Sequence, residues 1–394
     1  MKTNHHVYFG NAMKMDAVLT ESIDLMVTSP PYPMIAMWDE LFARQSASVK
    51  KALRKQDGVD SFEGMHQVLD RIWQEVYRVL KFGAFACINI GDATRTLKDN
   101  FVLYPNHMRV LQTAMALGFS VLPCILWRKQ TNAPNKFMGS GMLPAGAYVT
   151  LEHEYILILR KGTKREFATA DEKKLRRESA IFWEERNQWF SDVWLDVKGT
   201  LQAVNDPKAR RRSGAYPFDI VYRLINMYSV KGDTVLDPFL GTGTTTAAAI
   251  ASGRNSIGYE IEPAMADSID RMQTGIVDAS RQWIRKRLAR HLAFVVERLK
   301  TRGGLKHSNG HYGFPVVTAQ EKELILNDPL CIKQKGPGRL AVDYSEEPQP
   351  EFCRNWPVEL RQGDLEHGRA EVHYTEKHGE KRQLKLFDES NAKR

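Results

Sequence analysis

The chain has 394 residues, 43% hydrophobic and 26% charged, with a formal net charge of +9. That supplies material for one large core or two to three ordinary ones and excludes an intrinsically disordered chain. No apolar run approaches the ~20 residues that span a bilayer, residues 1–6 lack the apolar core of a secretory signal, and four cysteines without a CxxC pair build neither a disulfide scaffold nor a zinc knuckle. The expectation is a soluble, reduced, cytoplasmic protein without a bound metal. Residues 303–394 carry 14 Lys+Arg against 15 Asp+Glu, so the positive excess lies in 1–302 and suggests a polyanionic partner.

In chain order, apolar runs at Ile23–Thr28, 84–90, 155–159, 234–236 and 256–259 read as strands. Their continuity suits a sheet covered on both faces. Between them Val68, Ile72, Val76 and Val79 recur at helical spacing, as do Phe218, Val221, Leu224 and Ile225. Alternating strands and helices predict an α/β fold with a mostly parallel, twisted sheet. The segment 161–213 breaks the pattern, being polar, basic and Trp-rich. Further on, Ile284, Leu288, Leu292, Val295 and Leu299 line one face of a long helix whose other face is rich in arginine. Residues 303–394 show little periodicity. The expected divisions are 1–160, 161–213, 214–280 and 281–394.

Two strand ends carry chemistry. After Val235-Leu236 come Asp237-Pro238-Phe239-Leu240-Gly241-Thr242-Gly243-Thr244, a small-residue turn opening a helix. Its glycines let a ligand approach the backbone, and the helix start offers free N–H groups. The next strand closes on Glu260, an acid suited to the two hydroxyls of a ribose. No Lys follows the glycines, so the turn is not a Walker loop. A nucleoside without a phosphate chain fits, S-adenosylmethionine among them. The other end is Thr28-Ser29-Pro30-Pro31-Tyr32. The prolines remove two N–H donors and stiffen the backbone, leaving the Ser29 hydroxyl and the Pro30 carbonyl as acceptors for an exocyclic amine. Tyr32 offers a face on which a flipped base stacks.

Taken together, the SPPY and DPFxGTGT sequences resemble the motifs of the DNA amino-methyltransferases, over roughly Val7 to Met272. The SPPY form is typical of the cytosine-N4 enzymes, and the catalytic motif precedes the cofactor motif as in their β group. The resemblance implies a Rossmann-like S-adenosylmethionine-dependent fold with circularly permuted motif order, an inserted recognition segment and a C-terminal extension. It implies catalytic roles for Ser29, Pro30, Pro31 and Tyr32. It places the cofactor on Asp237, Pro238, Phe239, Gly241, Gly243, Thr244 and Glu260, on Asn11 where the family often has an acid, and on Tyr216, Pro217 and Phe218. Residues 79–83 match a turn leading into the strand that ends near Asn89 and Asp92. The implied partners are double-stranded DNA and a restriction endonuclease acting separately.

Other readings are weaker. Pro123-Cys124 resembles the nucleophile of cytosine-C5 enzymes, but Cys124 lies in an apolar run and precedes the cofactor motif; a core cysteine is expected. His153-Glu154 begins an HExxH motif that fails at Leu157. The alternatives in function are adenine-N6 methylation and a DNA-binding module without catalysis. Lys164, Arg165, Arg176, Arg177, Arg210, Arg211 and Arg212 are the candidate DNA contacts, and the loop 132–146 a candidate cover for the flipped base.

Overall fold

A computed structural model describes residues 1–129, 143–146, 148–199, 216–302 and 304–353. The strands are β1 (Lys2–Phe9), β2 (Ile23–Thr28), β3 (Leu80–Ile90), β4 (Ala93–Leu97), β5 (Asn100–Tyr104), β6 (Phe119–Arg128), β7 (His153–Lys161), β8 (Val193–Trp194), β9 (Thr234–Asp237), β10 (Asn255–Glu260), β11 (His307–Ser308), β12 (Pro315–Val316), β13 (Pro329–Gly336) and β14 (Arg339–Tyr344). Ten of them form one sheet, in the order β13-β14-β1-β10-β9-β2-β3-β7-β6-β8. The five central strands, β1 to β3 across the sheet, run parallel. β7 and β6 continue antiparallel on one side and β14 and β13 on the other.

The period-two rule explains why the central strands are apolar without a break. Leu25 and Val27 of β2 belong to one core cluster, whereas Met26 between them belongs to the other. β7 divides likewise, Leu157 and Leu159 against Ile156 and Ile158. The first core is closed by the helix Gly58–Val79, started by the Asp57 side chain accepting from the Asp60 N–H and burying Val68, Leu69, Ile72, Trp73, Val76 and Val79. The helix Phe218–Tyr228 closes the second, with Ile220, Val221, Leu224 and Ile225 buried. Each such side chain, fully buried, contributes about 1.5–3 kcal/mol of transfer free energy.

Of residues 79–83, expected as a turn before a strand, 80–83 lie inside β3, and 81–83 leave its ladder. They form an irregularity: Ile23 pairs with Leu80 and Leu25 with Phe85, so three extra residues bulge out. Gly83 there has φ +81, and a Cβ would come within 2.7 Å of the Arg165 backbone nitrogen. Cys124 lies half-buried against the first core.

Residues 304–353 are part of the same body. β14 pairs with β1, and Phe314, Leu324, Ile325 and Phe352 pack with Ile284 and Leu288 of the helix Ala266–Arg302. Phe182, from the segment 161–213, joins that cluster, and Arg287 grips Glu185. No helix among the described residues is long and apolar enough to cross a membrane.

The order of the central strands creates the site. From β9 the chain steps outward through β10 to β1 on one side, and β2 and β3 lie on the other. β9 and β2 are neighbours although Thr28 and Asp237 at their ends are 209 residues apart, and the sheet's order reverses between them. In open α/β sheets a crevice forms at such a point, beyond the carboxyl ends of the strands.

Candidate active site

Thr28 ends β2 and Asp237 ends β9. The Thr28 hydroxyl donates to Asp237 Oδ1 at 2.6 Å, and the Thr245 hydroxyl donates to Oδ2 at 2.6 Å. The Phe239 N–H adds a third bond at 3.0 Å, and the Tyr216 hydroxyl lies 2.9 Å from that of Thr245. Asp237 is buried and does not line the cavity in front of it. It is a clasp that joins two strand ends and a helix start from behind. Burial pushes its carboxyl up to about 6, against these three hydrogen bonds.

In front of the clasp lies one continuous cavity of about 630 Å³. Its walls include Ser29, Pro30, Pro31 and Tyr32 from the end of β2, and Pro238, Phe239, Gly241, Thr244 and Glu260 from the β9 turn and β10, together with Asn11 and Tyr216. The two constellations read from the sequence thus face one space. Gly243 stands just behind the lining as the residue before the helix Thr244–Ser252; its φ of +91 is the left-handed value that favours glycine. Pro217 and Phe218 do not line the cavity. Phe218 instead stacks on Tyr222 and meets Trp283 edge-on, because the helix it opens turns that face to the second core.

The Glu260 end suits a nucleoside. Oε2 accepts from the Gly241 N–H and Oε1 from the Glu262 N–H, both at 2.8 Å. Each oxygen keeps a second lone pair, which is what a vicinal diol needs. Burial raises this carboxyl too. The Asn11 side chain accepts from the Met13 N–H and donates to Gln45 at 3.2 Å. Gln45 and Arg44 belong to the helix Asp39–Gln45, and Arg44 reaches Glu262 at 3.4 Å, so this helix borders the nucleoside end of the cavity.

The Ser29 end is held by residues that sequence reasoning passed over. Asn89, at the end of β3, donates to Tyr32 Oη at 2.8 Å and to Glu154 Oε2 at 2.7 Å. Tyr32 donates its hydroxyl to Glu154 Oε2 at 2.9 Å, and Lys129 Nζ donates to Glu154 Oε1 at 2.8 Å. Burial, then the nearby Glu154 charge, raises the Tyr32 phenol well above its ordinary value and keeps it neutral. The Tyr32 ring lies over Gly91, where a Cβ would come within 3.1 Å of Cε2.

Four of the candidate DNA contacts lie elsewhere. β7 runs antiparallel to β3, so its carboxyl end and the residues after it reach the amino ends of the parallel strands, away from the cavity. Arg165 there forks onto Asp233 at 2.7 and 3.0 Å. Arg177 pairs with Glu323 at 2.7 Å, and Arg176 packs over Phe167. Lys164 is exposed at the same end. The structure does not bring these four to the crevice; Arg165 and Arg177 are engaged in internal ion pairs. Arg210, Arg211 and Arg212, and the candidate covering loop apart from residues 143–146, lie outside the described residues.

Known proteins agree with this architecture. The N6/N4 DNA methylase family matches residues 23–271. A Type II methyltransferase, M.MthZI of Methanothermobacter thermautotrophicus, is 50% identical over 347 residues, 88% of this chain and 96% of its own length. M.MjaI of Methanocaldococcus jannaschii, also a Type II methyltransferase, is 50% identical over 279 residues, 68% of this chain and 90% of its own. Among solved structures, a candidate DNA modification methylase from Thermus thermophilus, complexed with S-adenosyl-L-methionine, superposes with a TM-score of 0.53 at 29% identity, covering 69% of this chain and 96% of that one. With its two motif-bearing strand ends facing one cavity, the chain belongs to the N6/N4 DNA methylase family.

Proposed function

We propose that the protein methylates the exocyclic N4 amine of a cytosine flipped out of double-stranded DNA, as the modification partner of a separate restriction endonuclease in the cytoplasm. The observation that carries the reading is the single cavity shared by Ser29 and Tyr32 at one end and Gly241 and Glu260 at the other. The cofactor is S-adenosylmethionine, which supplies a methyl group already electrophilic on its sulfonium. Glu260 takes the ribose hydroxyls, the backbone at Gly241 and Thr244 borders the methionine end, and Asn11 and its neighbours border the adenine.

The chain's own residues then have one task, to prepare a poor nucleophile. The amine's lone pair is delocalised into the base. Tyr32 spends its one hydroxyl proton on Glu154, so the hydroxyl contact of 3.1 Å between Ser29 and Tyr32 has Ser29 as its donor. One Ser29 lone pair faces the Asn89 amide, which donates to it at 3.5 Å, and the other is left to accept from the amine. With the Pro30 carbonyl as the second acceptor, the nitrogen is drawn toward a pyramidal shape and its lone pair is released for attack. Holding both partners in one cavity supplies the rest, as proximity and orientation. Contact with DNA is proposed for Arg210, Arg211 and Arg212.

The test is transfer of labelled methyl from S-adenosylmethionine to plasmid DNA, followed by digestion to nucleosides and mass spectrometry. N4-methylcytosine is expected. N6-methyladenine would replace the base and keep the reaction, and absence of label in DNA would overturn the enzymatic reading.

A further inference from the structure

We propose that Glu154 is the terminal acceptor of a proton path that runs from the target amine through Ser29 and Tyr32. The inference rests on the reading of this cavity as an amine-methylating site and deepens it. Ser29, Tyr32 and Glu154 all line the cavity. Ser29 Oγ is 3.1 Å from Tyr32 Oη, and Tyr32 Oη is 2.9 Å from Glu154 Oε2. Asn89 fixes the direction of this chain by occupying one Tyr32 lone pair at 2.8 Å, which leaves the other for the Ser29 hydroxyl. Both hydroxyl groups therefore point one way, from the cavity toward the carboxylate.

The chemistry needs such an outlet. As the amine nitrogen forms its bond to the methyl carbon, the carbon–sulfur bond breaks and its electron pair stays on sulfur, leaving a neutral thioether. The positive charge passes to the nitrogen, which now holds one proton too many. That proton moves to Ser29 Oγ while Ser29 gives its own to Tyr32 and Tyr32 gives its own to Glu154. The methylated amine, Ser29 and Tyr32 end neutral, and Glu154 ends protonated. Lys129, bonded to the other carboxylate oxygen at 2.8 Å and half-exposed, marks the way to solvent. The neutral phenol of Tyr32 passes protons without being consumed, and the burial that holds it neutral fits that part. Glu154 acts through Tyr32 and is a positioning and relay residue.

The experiment uses the full-length protein, with single-turnover methyl transfer to plasmid DNA and calorimetric binding of S-adenosylmethionine measured side by side. Glu154→Gln is expected to lower the transfer rate about 100-fold or more, in the range of general acid–base effects, with the cofactor Kd changed less than about twofold. Glu154→Asp recovers at least a roughly tenfold share of that loss. Tyr32→Phe cuts the same path in the middle and tests it even where Glu154→Gln does not fold. The double variant is expected to be no slower than the slower single one, because a path once broken cannot be broken again. A Glu154→Gln rate within about threefold of the parent, or losses that multiply in the double variant, overturns the path. A parent protein that binds cofactor yet labels no DNA overturns the amine-methylating reading itself, which is a different result.

Discussion

At the amino ends of β2 and β9, Asp24 accepts from the Thr234 N–H at 2.9 Å and from Lys81 at 2.6 Å, while Arg165 is forked onto Asp233. At the carboxyl ends of the same two strands, Asp237 is clasped from behind by Thr28 and Thr245, and Ser29 and Glu260 face a cavity. Both ends are rich in polar groups, and in both a buried aspartate ties neighbouring strands. They differ in what remains after the internal bonds are made. The arginine and lysine at the amino ends are matched to carboxylates, and their work is to hold the sheet. Ser29 and Glu260 are held in place by their neighbours and keep lone pairs directed at open space. Unspent hydrogen-bonding capacity beside a cavity, more than charge or exposure, separates site from scaffold here.

Four measurements bear on that contrast. The largest effect belongs to Ser29→Ala, which removes one of the amine's two acceptors and nothing from the nucleoside end. The expected loss in kcat is about 100- to 1,000-fold, similar to removal of one preorganised hydrogen-bond partner in other enzymes, with cofactor affinity unchanged by calorimetry. A full-rate Ser29→Ala enzyme would erase the distinction between the two ends.

Next is the clasp. Burial lifts the Asp237 carboxyl from 3.8 to about 6, so the folded chain keeps this proton to higher pH than the unfolded chain does. Its contribution to stability is complete below about pH 4 and is lost as the pH rises through about 6, by about 3 kcal/mol for a shift of about two pKa units. Asp237→Asn, neutral throughout, should flatten that part of the pH dependence in urea unfolding between about pH 4 and 7. An unchanged slope would mean that the carboxylate's partners compensate its burial fully.

Smaller is Arg165→Ala, which leaves the buried Asp233 without its forked cation, while Asp24 keeps Lys81. Unfolding free energy should fall by about 1–3 kcal/mol, while the salt dependence of DNA binding stays as in the parent. A reduced salt slope would bring the amino end into the DNA interface. Smallest is Arg211→Ala. Loss of one phosphate contact should weaken DNA binding and lower the salt slope by about one, with stability unchanged.

Much of the sheet was legible because β2, β7 and β9 write their burial directly into their residues, with long apolar, β-branched or leucine-rich runs. The meeting of Ser29 with Gly241 was legible too, through the two motifs and the rule that ligands gather where strand order reverses. Arg165 misled because a sequence displays a charge and not its partner, and Asp233 stands 68 residues away. Glu154 was passed over because it was weighed as half of a failed zinc motif. The signal available was an acid at the head of an apolar strand, and its value appears when antiparallel pairing sets Asn89 opposite Ile156, bringing Glu154 beside the end of β3. β13 and β14 escaped notice because an edge strand such as β13 is mostly exposed and carries Lys333, Gln334 and Lys335, with no apolar face to show its period. Phe218 was assigned to the cofactor from its neighbours in sequence, but the helix it opens turns it toward Trp283.

The most direct measurement is a crystal structure of the full chain with S-adenosylmethionine. The ribose is expected on Glu260 and the sulfonium methyl directed along the cavity toward Ser29, with no protein atom between them. Cofactor bound outside this cavity, or with its methyl turned away from Ser29 behind an intervening side chain, would contradict that arrangement.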